Sequence, residues 1–244
     1  MVKIGLIGYG QMGKLLEQIA SDYGCQIQAI YDPKMNIQPD EEDVRKCDVF
    51  IDFTQPDAVL SNVNRFSVFG KPYVIGTTGW QNDAEMIKQI AEQSDIGIIY
   101  GSNFSLGMNL FYHIIQNSAN IMQKCPEYDV FGYEIHHRLK KDSPSGTAKK
   151  ICNIIQAEIP DKSAFEYDRI NRKIEANELH FASIRGGAVP GTHSVQFDSF
   201  ADTIELKHTA RNRNGFAVGA LKAALWIVER KGFYQFESIF LELL

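Results

Sequence analysis

Residues 134–148 gather Glu134, His136, His137, Arg138, Lys140, Lys141, Asp142, Ser145, Gly146 and Thr147, the densest run of proton donors and cations in the chain. Imidazole exchanges protons near neutral pH, and an ammonium group four positions further on can stabilise charge that builds on a reacting substrate. Across residues 138–150, Arg138, Lys140, Lys141, Lys149 and Lys150 face the single acid Asp142, although the whole chain carries a formal charge of −5. This local excess suits a small anionic ligand, one with two acid groups included. A basic loop ahead of a helix is ordinarily a solvated connection and a lone histidine is ordinarily structural, so the chemistry depends on what surrounds the run.

Upstream, Tyr128, Val130, Phe131, Tyr133 and Ile135 are aromatic or β-branched, which favours a strand that delivers His136 at its end. Downstream, Ala148, Ile151, Ile154, Ile155 and Ile159 recur at helical spacing. The charged run is therefore a strand-to-helix loop with Ser145, Gly146 and Thr147 at the helix start. Unpaired amides and the positive end of the helix dipole attract carboxylate or phosphate there, and Gly146 permits close approach.

Nearer the amino end, residues 2–7 read as a buried strand. Gly8-Tyr9-Gly10-Gln11-Met12-Gly13 follows it, and then a helix carrying Leu15, Leu16 and Ile19. In Gly-x-Gly-x-x-Gly the first glycine makes a tight turn, the second lets pyrophosphate near the backbone, and the third permits close packing of helix on strand. A second strand over 26–31 ends in Asp32, about twenty residues beyond the last glycine, where an acid hydrogen-bonds the adenosine ribose. Strands over 48–53, 72–75 and 96–100 then alternate with helices, which calls for a Rossmann-like, doubly wound parallel sheet. Its ligands sit at the carboxyl ends of the strands, so Gly76, Thr77, Thr78, Gly101, Ser102, Asn103 and Phe104 are expected to face the nicotinamide half of a dinucleotide.

After a helix over 109–122 the character changes. Strands over 128–135, 179–185, 193–200 and 203–209, with a hairpin at 198–202, predict a smaller α+β domain with a mixed or antiparallel four-stranded sheet. Residues 162–177 read as a charged surface excursion and residues 185–191 as a flexible connection. A last helix through Val218, Leu221, Leu225 and Val228 is expected to pack back on the first domain. The expected division is a dinucleotide-binding domain of residues 1–107, completed by 217–244, and a substrate-binding domain of residues 108–216.

A chain of 244 residues with 44% hydrophobic content can bury a substantial core. Its negative charge argues against nucleic acid as a partner. No apolar run approaches the roughly eighteen residues of a membrane span, and no basic-then-apolar signal segment opens the chain, so a cytoplasmic protein without membrane partners is expected. Cys25, Cys47, Cys125 and Cys152 lack Cys-x-x-Cys spacing and read as reduced thiols. No His, Asp and Glu set has metal-ligand spacing, so no metal is expected, and His113, His180, His193 and His208 read as structural.

Glu134, His136-His137, Lys140 and Asp142-Ser143-Pro144-Ser145-Gly146-Thr147-Ala148 resemble the signature of the 4-hydroxy-tetrahydrodipicolinate reductase family, also called dihydrodipicolinate reductases, and fill every fixed position of it. The resemblance extends to the glycine loop, Asp52-Phe53-Thr54, Gly76-Thr77-Thr78-Gly79, Asn103-Phe104-Ser105 and Arg213. It implies an NAD(P)H-dependent reduction of 4-hydroxy-tetrahydrodipicolinate to tetrahydrodipicolinate with loss of water, in the diaminopimelate route to lysine. The substrate would be a cyclic imine dicarboxylate. By the same resemblance His136 is the proton donor and acceptor, Lys140 a second donor, and His137, Gly146 and Thr147 hold a carboxylate. The exposed sheet face of the second domain would be the interface of a homotetramer.

Two departures bear on the cofactor. Many members have a glycine loop one residue longer, and many follow the acid with an arginine that holds a 2′-phosphate, whereas Pro33 and Lys34 follow Asp32 here. Asp32 favours NADH and Lys34 could offset its repulsion of a phosphate, so the expectation is NADH or dual use with NADPH. The competing readings are a two-domain reductase of another imine or keto acid and a dinucleotide-sensing module without turnover. A phosphorylating aldehyde dehydrogenase is disfavoured, since no cysteine lies in a candidate nucleophile loop.

Overall fold

A computed structural model describes all 244 residues. In chain order the elements are β1 (Val2–Ile7), α1 (Gln11–Ile19), β2 (Cys25–Tyr31), α2 (Glu41–Arg45), β3 (Val49–Asp52), α3 (Pro56–Ser67), β4 (Tyr73–Ile75), α4 (Ala84–Gln93) and β5 (Gly97–Tyr100). There follow α5 (Leu106–Met122), β6 (Asp129–His136), α6 (Gly146–Glu158), β7 (Ala164–Glu166), β8 (Glu178–Arg185), β9 (Thr192–Asp198) and β10 (Thr203–Thr209). The chain closes with α7 (Asn214–Ile227), β11 (Gly232–Gln235) and α8 (Phe236–Ile239). It divides into two compact units, Met1–Leu106 with Arg213–Leu244, and Gly107–Asn212.

In the first unit six parallel strands run in the order β11-β5-β4-β3-β1-β2. Ile4, Leu6, Ile7, Val49, Phe50, Ile51, Val74 and Ile99 are all essentially inaccessible, the continuous apolar pattern of strands covered on both faces. One cover is α1 and α7, whose Leu16, Ala217, Ala220, Leu221 and Ile227 share a core with Ile4, Leu6 and Ile51. The other is α3 and α4, whose Val59, Val63, Phe66 and Ile87 pack with Ile7, Phe50 and Tyr73. The winding reverses between β1 and β3, so the crevice at the carboxyl ends of those strands is the place where such sheets bind ligands. The sixth strand, β11, follows α7 and pairs with β5. Its four residues are too few to show a period.

The second unit holds a mixed sheet of order β10-β9-β6-β8-β7, in which central β6 runs antiparallel to β9 and parallel to β8. It has five strands where the sequence pattern predicts four. The extra one, β7, occupies three residues of the stretch read as a surface excursion, again too short to alternate visibly. The 193–200 strand stops at Asp198, because Ser199 N donates to Asp202 O at 2.9 Å and closes the hairpin to β10. Met108, Phe111 and Ile115 of α5 and Ile151, Cys152 and Ile155 of α6 bury Val130, Phe181, Val195 and Phe197 of the sheet. This packing fixes the end of β6 and the start of α6, the two elements that flank the charged loop.

Candidate active site

In the first unit, the turn after β1 is drawn tightly against its neighbours. Gly8 has φ +89°, and a Cβ on Gly13 would stand 2.4 Å from Gly8 O, so α1 packs as closely as a side-chain-free backbone allows. Around Gly10 a Cβ would meet nothing within 4 Å. No side chain caps α1 at Gly10, which leaves its first amides facing open space. Asp32 caps the short turn that follows β2: its Oδ2 accepts from Tyr9 N at 2.7 Å, and its Oδ1 from Lys34 N at 3.0 Å and Met35 N at 3.2 Å. Asp32 and Lys34 line a cavity of about 240 Å³ with Gly8, Gly10 and Asn62. Beside it runs a groove of about 550 Å³ along Gln11, Met12, Gly76, Thr77 and Thr78.

Asp52, wholly buried at the end of β3, braces this groove. Its Oδ1 accepts from Thr54 N (2.9 Å), Thr54 Oγ1 (2.6 Å) and Thr77 Oγ1 (3.2 Å), and its Oδ2 from Tyr73 OH (2.8 Å) and Asn62 Nδ2 (3.1 Å). Burial raises the Asp52 pKa and these donors oppose the rise. Ser102 Oγ donates to Glu237 Oε1 at 2.6 Å, and Asn103 Oδ1 accepts from Ser105 N at 2.9 Å.

The ring of Phe104 is 2% exposed and packs against Phe236 at 4.5 Å, so its side chain belongs to the core and only its backbone is left to face a ligand. Asn62 and Glu237 escaped the sequence reading. The one available signal was a buried asparagine within the Val59, Val63, Phe66 stripe of α3.

The second unit carries the charged run. The carboxylate of Glu134 is wholly buried. Its Oε1 accepts from Ser145 N (2.9 Å), Ser183 Oγ (2.8 Å) and Arg185 Nη2 (2.8 Å), and its Oε2 accepts from Ser145 Oγ. His136 Nδ1 lies 3.4 Å and His193 Nε2 3.3 Å from Oε2, within ionic reach but poorly aligned for straight hydrogen bonds. Burial alone would raise the Glu134 pKa, but interactions with His193, Ser145 and Arg185 outweigh it and hold the carboxyl well below the usual carboxylate range. For His136 burial is the largest influence and lowers the pKa. Glu134 counters it, His193, Lys140 and Arg185 reinforce it, and the result is about 4.

Around this cluster Lys140 Nζ meets Asp142 Oδ1 at 2.8 Å, and His137 N donates to Val189 O at 2.8 Å. Ser145 caps α6, its Oγ accepting from Ala148 N at 3.1 Å. A Cβ on Gly146 would meet nothing within 4 Å, so the helix start at Gly146 and Thr147 is open to a ligand. His136, His137, Lys140, Gly146 and Thr147 thus share one loop and one helix start.

Two partners were not foreseen. Arg185, read as the edge of a flexible connection, ends β8 and braces Glu134. His193, read as a structural histidine, faces the same carboxylate. Ligand-type atoms of Glu134, His136 and His193 lie within 4.8 Å of one another. Because four donors already occupy the carboxylate and Arg185 neutralises it, the arrangement is a hydrogen-bonded cluster and not a cation cage.

A doubly wound sheet with a glycine cradle and an acid after its second strand fits a nicotinamide dinucleotide, and together with a buried, braced imidazole in the same chain it defines a nicotinamide-dependent oxidoreductase. The family model for the amino-terminal part of dihydrodipicolinate reductase matches residues 2–104, and that for the carboxyl-terminal part matches residues 107–240. The chain belongs to the dihydrodipicolinate reductase family. It is 35% identical over 242 residues to 4-hydroxy-tetrahydrodipicolinate reductase of Christiangramia forsetii, covering 99% of each chain. It is 34% identical to the Rickettsia bellii protein of the same name, covering 95% of this chain and 91% of that one. A dipicolinate-bound dihydrodipicolinate reductase from Paenisporosarcina sp. TG-14 shares the fold with a TM-score of 0.77 at 23% identity, over 98% of this chain and 99% of that one.

Proposed function

We propose that this chain reduces 4-hydroxy-tetrahydrodipicolinate to tetrahydrodipicolinate, with loss of water, using NADH or NADPH, in the diaminopimelate route to lysine. The observation that carries the reading is the coincidence on one loop of a buried imidazole, an ammonium group and the open amino end of α6, in a chain that also holds a dinucleotide cradle. Gly8, Tyr9, Gly10, Gln11, Met12, Gly13 and Asp32 would hold the adenosine and pyrophosphate, with Gly76, Thr77, Thr78, Gly101, Ser102 and Asn103 toward the nicotinamide. The dihydronicotinamide, when bound, supplies a hydride.

His136 supplies the proton. With a pKa of about 4 in the free protein it is neutral near pH 7, and a substrate with two carboxylates offsets the repulsion from Lys140 and Arg185, so His136 takes up its proton as the substrate binds. Lys140 leaves Asp142 for the substrate and stabilises the charge that builds on it. His137 and the amides of Gly146 and Thr147 hold a carboxylate. Lys140→Ala is therefore expected to raise KM for the imine and also to lower kcat, measured by steady-state kinetics; parameters equal to the parent's would remove the ammonium from the reaction.

The finer reading of the cofactor is dual use with a lean to NADH. Asp32, fixed by three amides at the edge of the cavity, would accept from the ribose hydroxyls and disfavour a phosphate there, and Lys34 beside it would partly offset that. A spectrophotometric assay with freshly generated dipicolinate precursor tests both points. Oxidation of both dinucleotides is expected, with kcat/KM for NADH at least equal to that for NADPH. No oxidation of either would reject the activity, and a clear preference for NADPH would reject the role given to Asp32.

No helix is long and apolar enough to cross a membrane. A cytoplasmic homotetramer completes the proposal. Its support is that Phe131 and Ile184 remain 40% and 49% exposed on the face of the second sheet turned away from α5 and α6.

A further inference from the structure

Glu134 Oε2 has two lone pairs, and the hydroxyl of Ser145 takes one of them. Two imidazoles face the other. His136 Nδ1 and both nitrogens of His193 have no other hydrogen-bond partner, and the two side chains are only 9% and 5% exposed. Their rings meet edge to face, 5.1 Å apart at 73°. Buried imidazole nitrogens without partners are costly, and two of them at one carboxylate oxygen call for an explanation.

The position of His193 is set by the sheet. β9 pairs antiparallel with β6 so that His193 lies directly opposite Glu134, while Thr192 lies opposite Ile135. On the far side of His136, a Cβ on Gly191 would stand 3.1 Å from Nε2, so the glycine just before β9 leaves that nitrogen uncovered. The same short segment thus presses an imidazole against one nitrogen of His136 and withholds a side chain from the other.

We propose that His193 is a positioning residue for the reduction: it shares with His136 the remaining lone pair of Glu134 Oε2, so that Glu134 holds the His136 ring less firmly than a sole partner would. The inference rests on the reading of His136 as the proton donor. The groups facing His136 are Glu134 on its own strand, Arg185 from β8, Lys140 from the following loop and His193 from β9, while His208 of β10 pairs with His193 from the other side. Competition from His193 weakens the hold of Glu134 on His136 and keeps the His136 proton transferable, a state that a sole, well-aligned carboxylate partner would not allow.

The test compares His193→Asn, His193→Phe and His193→Gln. The amide nitrogen of glutamine reaches the place of Nε2 and preserves the contact, asparagine ends short of it, and phenylalanine fills the volume with no N–H. Side-chain nitrogen NMR follows the titration of His136 in the ligand-free parent and in each variant. In the Asn and Phe variants the midpoint of His136 is expected to rise by roughly one pH unit. The acid limb of kcat/KM should move with it and kcat should fall roughly tenfold, as a misplaced catalytic group does, with KM for the dinucleotide unchanged. Glutamine is expected to restore the parent behaviour.

An unchanged His136 titration in both removal variants overturns the inference, as does a glutamine variant that behaves like asparagine. Disagreement between the Asn and Phe variants would assign the effect to packing and overturn it too. Because the titration needs no substrate, an inactive parent whose His136 midpoint moves on removal of His193 would reject the proposed reaction and leave the pairing at Glu134, whereas an active parent whose His136 midpoint stays fixed would do the reverse.

Discussion

Replacing His136 by glutamine is expected to lower kcat by roughly 10²- to 10⁴-fold, the usual contribution of a positioned general acid. The glutamine side chain fills much of the space of the ring, with its amide at the place of Nε2 rather than of the Nδ1 that faces Glu134, and it carries no transferable proton at working pH. Dinucleotide affinity should be unchanged, because the cradle is lined by residues from the turn after β1 through α3 to the turn after β4 and receives no residue from β6. Steady-state kinetics with a separate dinucleotide titration separates the two effects. Turnover equal to the parent's would remove His136 from the chemistry, and a parallel loss of dinucleotide binding would mean that the substitution disturbed the fold.

The second large effect is on stability. Glu134→Ala removes the anion that neutralises Arg185 and leaves the Ser145 amide and the Ser183 hydroxyl without their acceptor. Breaking a buried pair by removing one partner costs about 3–5 kcal/mol. Urea unfolding at neutral pH should show that loss, with a smaller one for Glu134→Gln, which keeps one acceptor oxygen. A change within the scatter of surface substitutions would show that water repairs the site.

Acid should act on the same cluster, with a sign that follows from the direction of the shifts. His136 is held at about 4 against an ordinary 6.5, and Glu134 is held below its ordinary 4.5, so each binds fewer protons when folded than when unfolded. Stability contributed by both is present at neutral pH and is lost as pH falls. The loss begins as pH drops from 6.5 toward 4 through the imidazole and continues below 4.5 through the carboxyl. In Glu134→Gln the lower part of that fall should flatten.

Much of the site was legible because its signals are local. A strand, Gly8-Tyr9-Gly10-Gln11-Met12-Gly13 and a helix form one continuous unit, and Asp32 follows at the end of the next strand. The spacing from His136 to Thr147 likewise spans a single strand end, loop and helix start. For Phe104 the residue type is the same whether the ring meets a ligand or the core, and only the packing of Phe236 against it shows that the ring is in the core. β7 and β11 were missed because three or four residues carry no period. Arg185 and His193 were missed for a different reason: nothing near either residue records that it will stand beside Glu134.

By itself the sequence determined the alternation of elements, the glycine turn, the acid after β2 and the loop that carries His136, Lys140 and the amino end of α6. Those depend on contacts within a few residues, where chain geometry leaves little choice. The tertiary structure decided which strands flank β6, and with them that Arg185 neutralises Glu134 and that His193 contends with His136 for it. Strand neighbours are chosen by the burial of a whole sheet face against α5 and α6, a sum over distant residues that no local pattern contains.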